Sequence, residues 1–370
     1  MLYRKFKKLM MTPGLFFRDY FIKKYPLVLN EITCPQEDER ILIKHDIALE
    51  EKIKVNFPID VVFTWVDDKD KNWLEKLHFF RQQNSFANNP FLHDLARFKN
   101  HNEIYYSVQS VIKFLPWVRN IFLVTDGQKP AWADSFPQIK MVDHSEIIPE
   151  VYLPTFNSHV IEAHLHLIPG LAEHFIYFND DVFVARELPA SHFFKSNGLA
   201  SLFLSDKSLV KMAQRRIDTP TLSASLKSKS LLYNNFKIEI DNSLVHTYVP
   251  LRKSMFIYAW DIYLPMINEF IKEKFRSPTD LNMATFLVPW LTYINGLAMP
   301  ARDICYYFNI RSPVAAYNYK ILLKALRGNT SPHSFCANDF SFNTISVNNY
   351  EQLLIELLEI YFGNGTTRNV

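Results

Sequence analysis

The sequence predicts an α/β fold built on a largely parallel sheet, and three observations carry that expectation. Short β-branched and aromatic runs alternate with stretches of helical spacing. The runs are apolar enough to read as buried strands. Each of the clearest runs ends in a polar, often acidic, turn.

IDVVFTWV, Ile59 to Val66, is the first strand, and DDKDKNW is its acidic exit. In NEIYYSVQSVIKFLPW, Ile104, Tyr105, Val108, Val111, Ile112 and Leu115 recur at helical spacing, and Pro116 marks the stop. Ile121 to Thr125 is a strand that turns at Asp126-Gly127, and Ile139 to His144 is another. SHVIEAHLHLIPG reads as a helix closed by Pro169-Gly170, and HFIYFNDDVFV as one further strand. Residues 199–245, rich in Ser, Lys and Thr, show little periodicity and read as a long mobile segment. Helical patterns follow from about Ser254 to Phe275 and from about Leu281 to Gly296, with Pro265 and Pro289 as kinks or breaks. NYEQLLIELLEIYFG is an amphipathic C-terminal helix. The expected organisation is a basic arm at 1–30, a linker or peripheral helix at 31–57, a catalytic domain at 58–345 and a helical tail at 346–370.

With 370 residues, 48% apolar and 21% charged, the chain has the composition of a globular protein with a substantial core. Only 8 glycines are present and no phosphate-binding glycine motif, which argues against a glycine-loop nucleotide site. A net charge of +3 gives no sign of a nucleic-acid partner. The first 26 residues carry seven basic side chains and one acid, Asp19, interleaved with Phe6, Leu9, Met10, Phe16, Phe17, Tyr20 and Phe21. Such an arm either lies on a membrane surface or packs its apolar face on the domain. No stretch approaches the ~18 uninterrupted apolar residues of a membrane span. Cys34, Cys305 and Cys336 form neither a zinc pattern nor a disulfide framework, which suits a reducing cytoplasm.

Ligands of open α/β sheets sit outside the carboxyl ends of the strands. Asp67, Asp68 and Asp70 lie at one such end, Asp126 at a second, and Asp180 with Asp181 at a third, so three acidic ends can share one crevice. Asn179-Asp180-Asp181 reads either as a solvated acidic turn or as a site for Mg²⁺ or Mn²⁺, since paired carboxylates hold such a cation on substrate phosphates. Asp70 suits a proton acceptor or an ordinary turn. His246, in VHTYVPLRK, suits a base acting near neutral pH or a structural hydrogen bond. Arg276, in KFRSPTD, suits a phosphate clamp or a helix cap. His164 and His166, two apart on a helix, cannot both face one metal and read as structural or supporting groups.

Taken together these motifs resemble the Stealth family, which contains bacterial capsule polymerases that transfer hexose-1-phosphate and the animal GlcNAc-1-phosphotransferase. The resemblance runs through IDVVFTWVDDKDKNW, then RFKNHNEIYYSVQSVIKFLPWVRNIFLVTDGQKPAW on to FIYFNDDVFVAREL, then HTYVP with KFRSPTD, and more weakly FCANDFSF. It covers most of residues 59–345. The fold it implies is Rossmann-like and of GT-A type, with helices on both sheet faces and a helical C-terminal part. The chemistry it implies is attack by an acceptor sugar hydroxyl on the β-phosphorus of a UDP-N-acetylhexosamine, giving a phosphodiester and UMP. An ordinary metal-dependent glycosyltransferase, which would release UDP, is the alternative.

Carried over by position, the family's polar residues imply Asp70, Arg97, Glu103, His246 and Arg276 as catalytic. They imply Asn102, Gln128, Ser158, Asp280 and Asn338 for donor binding, and Asp180 and Asp181 for Mg²⁺ or Mn²⁺; Glu162 and Asn179 also match. An oligosaccharide or capsule-chain acceptor, a partner glycosyltransferase and peripheral contact with the inner membrane are implied. Two departures stand out. Val108-Gln109-Ser110 replaces the usual Leu-Arg-Ser, and Asn102 stands where an acid is often found.

Overall fold

The computed structural model describes residue 6 and residues 9–24, 53–83, 98–215, 219–339 and 346–363. Arg97 and Cys34 lie outside them, as does most of the expected linker at 31–57. The chain divides into two units, Met1–Lys54 and Val55–Val370. In the first, Pro13–Lys24 is helical; the Phe17 and Tyr20 rings flank that of Phe21 at 6.5 and 5.7 Å, and all three are exposed. Among the described residues no helix is long and apolar enough to cross a membrane.

The strands of the second unit are β1 (Ile59–Thr64), β2 (Ile121–Thr125), β3 (Ile139–Asp143), β4 (His174–Phe178), β5 (Val182–Val184), β6 (Ala200–Ser208), β7 (Asn242–Leu244), β8 (Val249–Arg252), β9 (Ala298–Ala301), β10 (Cys305–Asn309) and β11 (Ser334–Asn338). The main sheet has the order β3-β2-β1-β4-β8. Its first four strands are parallel, and β8 closes the edge antiparallel to β4. β2 and β4 are buried along their whole length, so both sheet faces are covered, as continuous apolar runs require. The α/β class and the parallel sheet are as the sequence predicts.

HFIYFNDDVFV is two strands rather than one. β4 ends at Phe178 in the main sheet, and β5 begins at Val182 in a second sheet of order β10-β11-β5. Asn179-Asp180-Asp181 is the corner between them, pinned by Val182 N to Asn179 O (3.3 Å) and Ala337 N to Asp181 O (3.0 Å). The open edge of β5 is covered by the helix Glu103–Phe114: Ser107 Oγ donates to Val182 O, and Val184 N donates to Ser110 Oγ (3.0 Å). One face of the small sheet packs Phe183, Phe308 and Phe335 against the helices Ala315–Arg327 and Tyr350–Phe362. Phe183 and Phe335 stack at 4.8 Å.

The described residues of 199–245, which are 199–215 and 219–245, are built largely from regular elements. β6 and a short helix, Leu209–Gln214, are followed by the helix Pro220–Phe236 and β7. Thr219 Oγ1 caps the long helix by accepting from Leu222 N (3.2 Å), and Pro220 occupies its first turn. The serines that hide its periodicity donate back to its own carbonyls: Ser225 to Thr221 O, Ser228 to Ala224 O and Ser230 to Leu226 O. The helix Lys253–Phe270 bends at Tyr263, ahead of Pro265, and Pro289 sits in the first turn of Val288–Ile294.

A separate cluster of Trp73, Leu77, Phe156 and Phe275 joins three polar loops. Trp73 follows the Asp70 turn, Phe156 precedes Ser158, and Phe275 precedes Arg276; Phe156 and Phe275 stack at 5.3 Å. His164 and His166 are structural. His164 donates from Nδ1 to Val160 O (2.7 Å), and His166 stacks on Phe256 at 5.7 Å. Burial pushes His166 and His144 down to about 4 from an ordinary 6.5, so both are neutral in the fold. Below 6.5 the unfolded chain binds protons that the folded chain refuses. Stability is therefore complete above pH 6.5 and is lost progressively toward pH 4, by up to about 3 kcal/mol per histidine. Urea unfolding from pH 7 to 4 should show this slope, and His166→Gln should flatten it. An unchanged slope would mean that His166 is not held neutral.

Candidate active site

The site is built at the β4–β5 corner. Asp181 Oδ2 accepts from Asn338 Nδ2 (2.8 Å) and from the Cys336 thiol (3.3 Å). Its other oxygen, Oδ1, is buried without a hydrogen-bond partner. A ring nitrogen of exposed His246, a carboxylate oxygen of Asp181 and Cys336 Sγ all lie within 4.8 Å of one another. Burial, and then the charge of Asp181, push the Asp180 carboxyl up to about 7. Glu103 enters from the start of its helix. Burial, then the charge of Asp180, hold its carboxyl well above the usual range, although it accepts the His101 amide at 2.5 Å. The charges of Asp181 on Asp180 and of Asp180 on Glu103 show that the three acids share one neighbourhood, and the donors that lie together there, a carboxylate oxygen of Asp181, a His246 nitrogen and Cys336 Sγ, with the orphaned Asp181 Oδ1, suit a divalent ion.

The left-handed backbone of Asn102 (φ 63°) starts that helix and directs Glu103 inward. The Asn102 side chain is exposed, and its backbone N–H donates to Asn100 Oδ1 (2.8 Å). Behind the corner, His101 Nε2 meets Asp339 Oδ2 at 2.8 Å, and Arg311 pairs with the same carboxylate, which fixes the end of β11. Gln109, at the position of the family's arginine, keeps a buried, unpartnered Oε1.

A second group carries the positive charge. Arg276 donates from Nη2 to Ser158 Oγ (2.5 Å) and from Nη1 to Thr221 Oγ1 (2.9 Å). Glu162 lies one turn beyond Ser158 on the helix Ser158–Ala163. Burial raises its carboxyl; the charges of His159 and Arg276 act the other way. Tyr177 Oη lies 3.0 Å from Thr64 Oγ1 and donates to Asn179 Oδ1 (3.0 Å). The charge of Arg276 therefore reaches Glu162 and Tyr177, and Tyr177 in turn bonds Asn179 of the acid corner. Tyr177, Thr221 and Cys336 escaped sequence reasoning. Strand alternation was the available signal for two of them: Tyr177 shares a side with Asn179, and Cys336 with Asn338.

Four expected site residues are engaged elsewhere. Asp70 Oδ1 accepts from Trp73 N (2.8 Å) and caps the helix Lys71–Gln83. Gln128 accepts from Asp67 N (2.7 Å) and donates to Asp67 O (3.0 Å), so its amide continues the β1–β2 pairing as a backbone would. Asp280 is wholly buried. It takes bonds from Asn157 Nδ2 (3.0 and 3.1 Å), His159 Nδ1 (2.8 Å) and Ser277 Oγ (3.3 Å), which fixes the turn that presents Arg276. The side chain of Asn102 points into no contact with the acids. Nor do the three acidic strand ends merge: Lys76 takes Asp126 at 2.5 Å, and Asn100 N donates to Asp68 Oδ1 (3.2 Å).

The family models for Stealth protein conserved region 1 and conserved region 2 match residues 57–85 and 97–202. The capsular polysaccharide phosphotransferase LcbA of Aeromonas hydrophila is 56% identical, over 97% of this chain and 99% of its own. LcbA of Neisseria meningitidis is 52% identical, over 97% and 99%. Among solved structures, the galactosyltransferase LgtC in complex with donor and acceptor sugar analogs aligns over 83% of this chain and 98% of its own, at a TM-score of 0.41 and 9% identity.

Proposed function

The chain belongs to the Stealth family, alongside capsular polysaccharide phosphotransferases, and from that premise we propose that it transfers N-acetylhexosamine-1-phosphate, from UDP-N-acetylglucosamine or a close relative, to a growing capsule chain. An acceptor hydroxyl oxygen bonds to the β-phosphorus, and the bond from that phosphorus to the oxygen bridging it to UMP breaks. UMP leaves with that oxygen, and the hydroxyl proton passes to a base on the protein.

The observation that carries this reading is an arginine anchored by two hydroxyls, with Glu162 and Tyr177 between its charge and a corner of acids. Phosphoryl transfer asks little of a protein beyond positioning and charge compensation. Asp180 and Asp181 would hold Mg²⁺ or Mn²⁺, with Asn338 orienting Asp181. A cation there would offset the charge of the donor diphosphate. Arg276, braced by Ser158 and Thr221, would meet the phosphate from the other side. Glu103, its carboxyl pushed up by burial and the charge of Asp180, would support Asp180. His246 is exposed beside Asp181 and is assigned the hydroxyl proton; Asp70 is assigned to the helix cap instead. The basic arm, with Met10, Met11, Phe17 and Phe21 exposed, is assigned to an anionic membrane surface, where a partner glycosyltransferase would supply the other sugars of the repeat.

Purified protein incubated with UDP-GlcNAc, Mg²⁺ and a capsule-type oligosaccharide primer should release UMP and give a new phosphodiester signal in phosphorus NMR. Release of UDP would mean attack at the anomeric carbon and would sink this reading.

A further inference from the structure

The small sheet has two unlike faces. Phe308 on β10 and Phe335 on β11 turn into the aromatic core beneath it. Side chains alternate along a strand, so Tyr307 and its register partner Cys336 turn the other way. Cys336 touches the Asp181 carboxylate, so Tyr307 stands on the face that carries the acid corner. β10 is the edge strand of this sheet, and Tyr307 keeps 45% of its surface exposed. An isolated exposed tyrosine needs no explanation. This one has a particular setting: its ring lies edge to face with His246 at 5.3 Å, and the ammonium of exposed Lys207, from β6, sits 5.4 Å from its centroid.

Two elements distant in sequence therefore bring an aromatic face and a cation to the histidine at the mouth of the site. Tyrosine offers a flat apolar surface at small entropic cost, which suits the C–H face of a sugar ring. Lysine is a point charge on a flexible stem, able to leave the ring for an anion. A donor nucleotide belongs outside the carboxyl ends of β1, β2 and β4. Tyr307 lies past the corner, on the second sheet, which leaves it for the other substrate. Resting on the reading of the reaction above, a growing chain carries sugars and, between them, negatively charged phosphodiesters. We infer that Tyr307 and Lys207 form the acceptor subsite, Tyr307 stacking the sugar that bears the reacting hydroxyl and Lys207 pairing with a phosphodiester already in the chain.

Calorimetric binding tests this without requiring turnover. The probes are a trisaccharide of N-acetylglucosamine joined by 1-phosphodiesters, an uncharged glycosidic trisaccharide of the same sugar, and UDP-GlcNAc. Tyr307→Ala should weaken both trisaccharides about tenfold, and Tyr307→Phe should bind them within about twofold of the parent. Lys207→Gln should weaken only the charged trisaccharide and reduce its salt dependence. UDP-GlcNAc should bind all variants equally. Loss of UDP-GlcNAc affinity in Tyr307→Ala would give the ring to the donor and overturn the inference. Unchanged trisaccharide binding, or a parent protein that binds neither trisaccharide, would also end it. Failure of the reaction reading would show separately, as UDP in place of UMP from the parent protein.

Discussion

Asp181→Asn is expected to cut turnover by about a thousandfold while leaving the melting temperature equal to or above that of the parent. The two halves of this result have one cause. Asp181 and Asp180 are adjacent in a tight corner, and the charge of one helps to drive the other up to about 7. Glu103 adds a third carboxyl to the same neighbourhood. Such crowding opposes folding, and among the described residues no cation acts on the Asp180 carboxyl to relieve it. An amide at 181 keeps the shape and an acceptor oxygen for Asn338 Nδ2, yet removes the charge. Repulsion falls, so stability should hold or rise, as it does when a strained functional group is neutralised. The ability to hold a divalent ion should fall with it, and titration with Mn²⁺ should show weaker binding. An inactive but destabilised variant would mark Asp181 as a structural residue of the corner. A variant with near-normal turnover would remove it from the site.

The sequence made the main sheet legible because its strands are buried on both faces and read as uninterrupted apolar runs. The boundary inside HFIYFNDDVFV was not legible. Apolar residues lie on both sides of Asn179-Asp180-Asp181, and nothing local says that Val182 pairs with β11, a strand more than a hundred residues later. The serine-rich helix at Pro220–Phe236 was obscured for a different reason. Its hydroxyls are satisfied by its own carbonyls, so polar letters occupy buried positions. Within the site, position in the motif located Asp180, Asp181, Glu103, Ser158, Arg276, His246 and Asn338 near the two charged groups. It failed for Gln128 and Asp280, because a residue type alone does not reveal whether its hydrogen bonds go to a ligand or to the protein. Gln128 imitates a strand partner for Asp67, and Asp280 holds Asn157 and His159; both shape the site without facing it. Tyr177 was missed because a strand tyrosine normally reads as core, and only its hydroxyl, between Thr64 and Asn179, gives it a place in the network.

Arg276→Lys should lower kcat about a hundredfold or more, even though the charge is kept. In the parent, two nitrogens of one planar group reach Ser158 Oγ and Thr221 Oγ1 at once, from elements far apart in sequence. An ammonium can take one of these partners but not hold both at the guanidinium spacing. Glu162, buried and with one oxygen unpartnered, would then face a displaced charge. Arg276→Ala should be less active still, and added guanidinium at millimolar concentration should restore part of its rate. A merely structural arginine would not give that rescue. The corresponding loss in Ser158→Ala should be smaller, since Thr221 still braces the group, and should appear mainly as a raised KM for the nucleotide sugar. Equal kcat in Arg276→Lys and the parent would reduce the arginine to a cap on its turn. Absence of rescue in a folded Arg276→Ala would assign the loss to a displaced Glu162 beside the Tyr177–Asn179 hydrogen bond, with the phosphate charge carried by the cation at the acid corner.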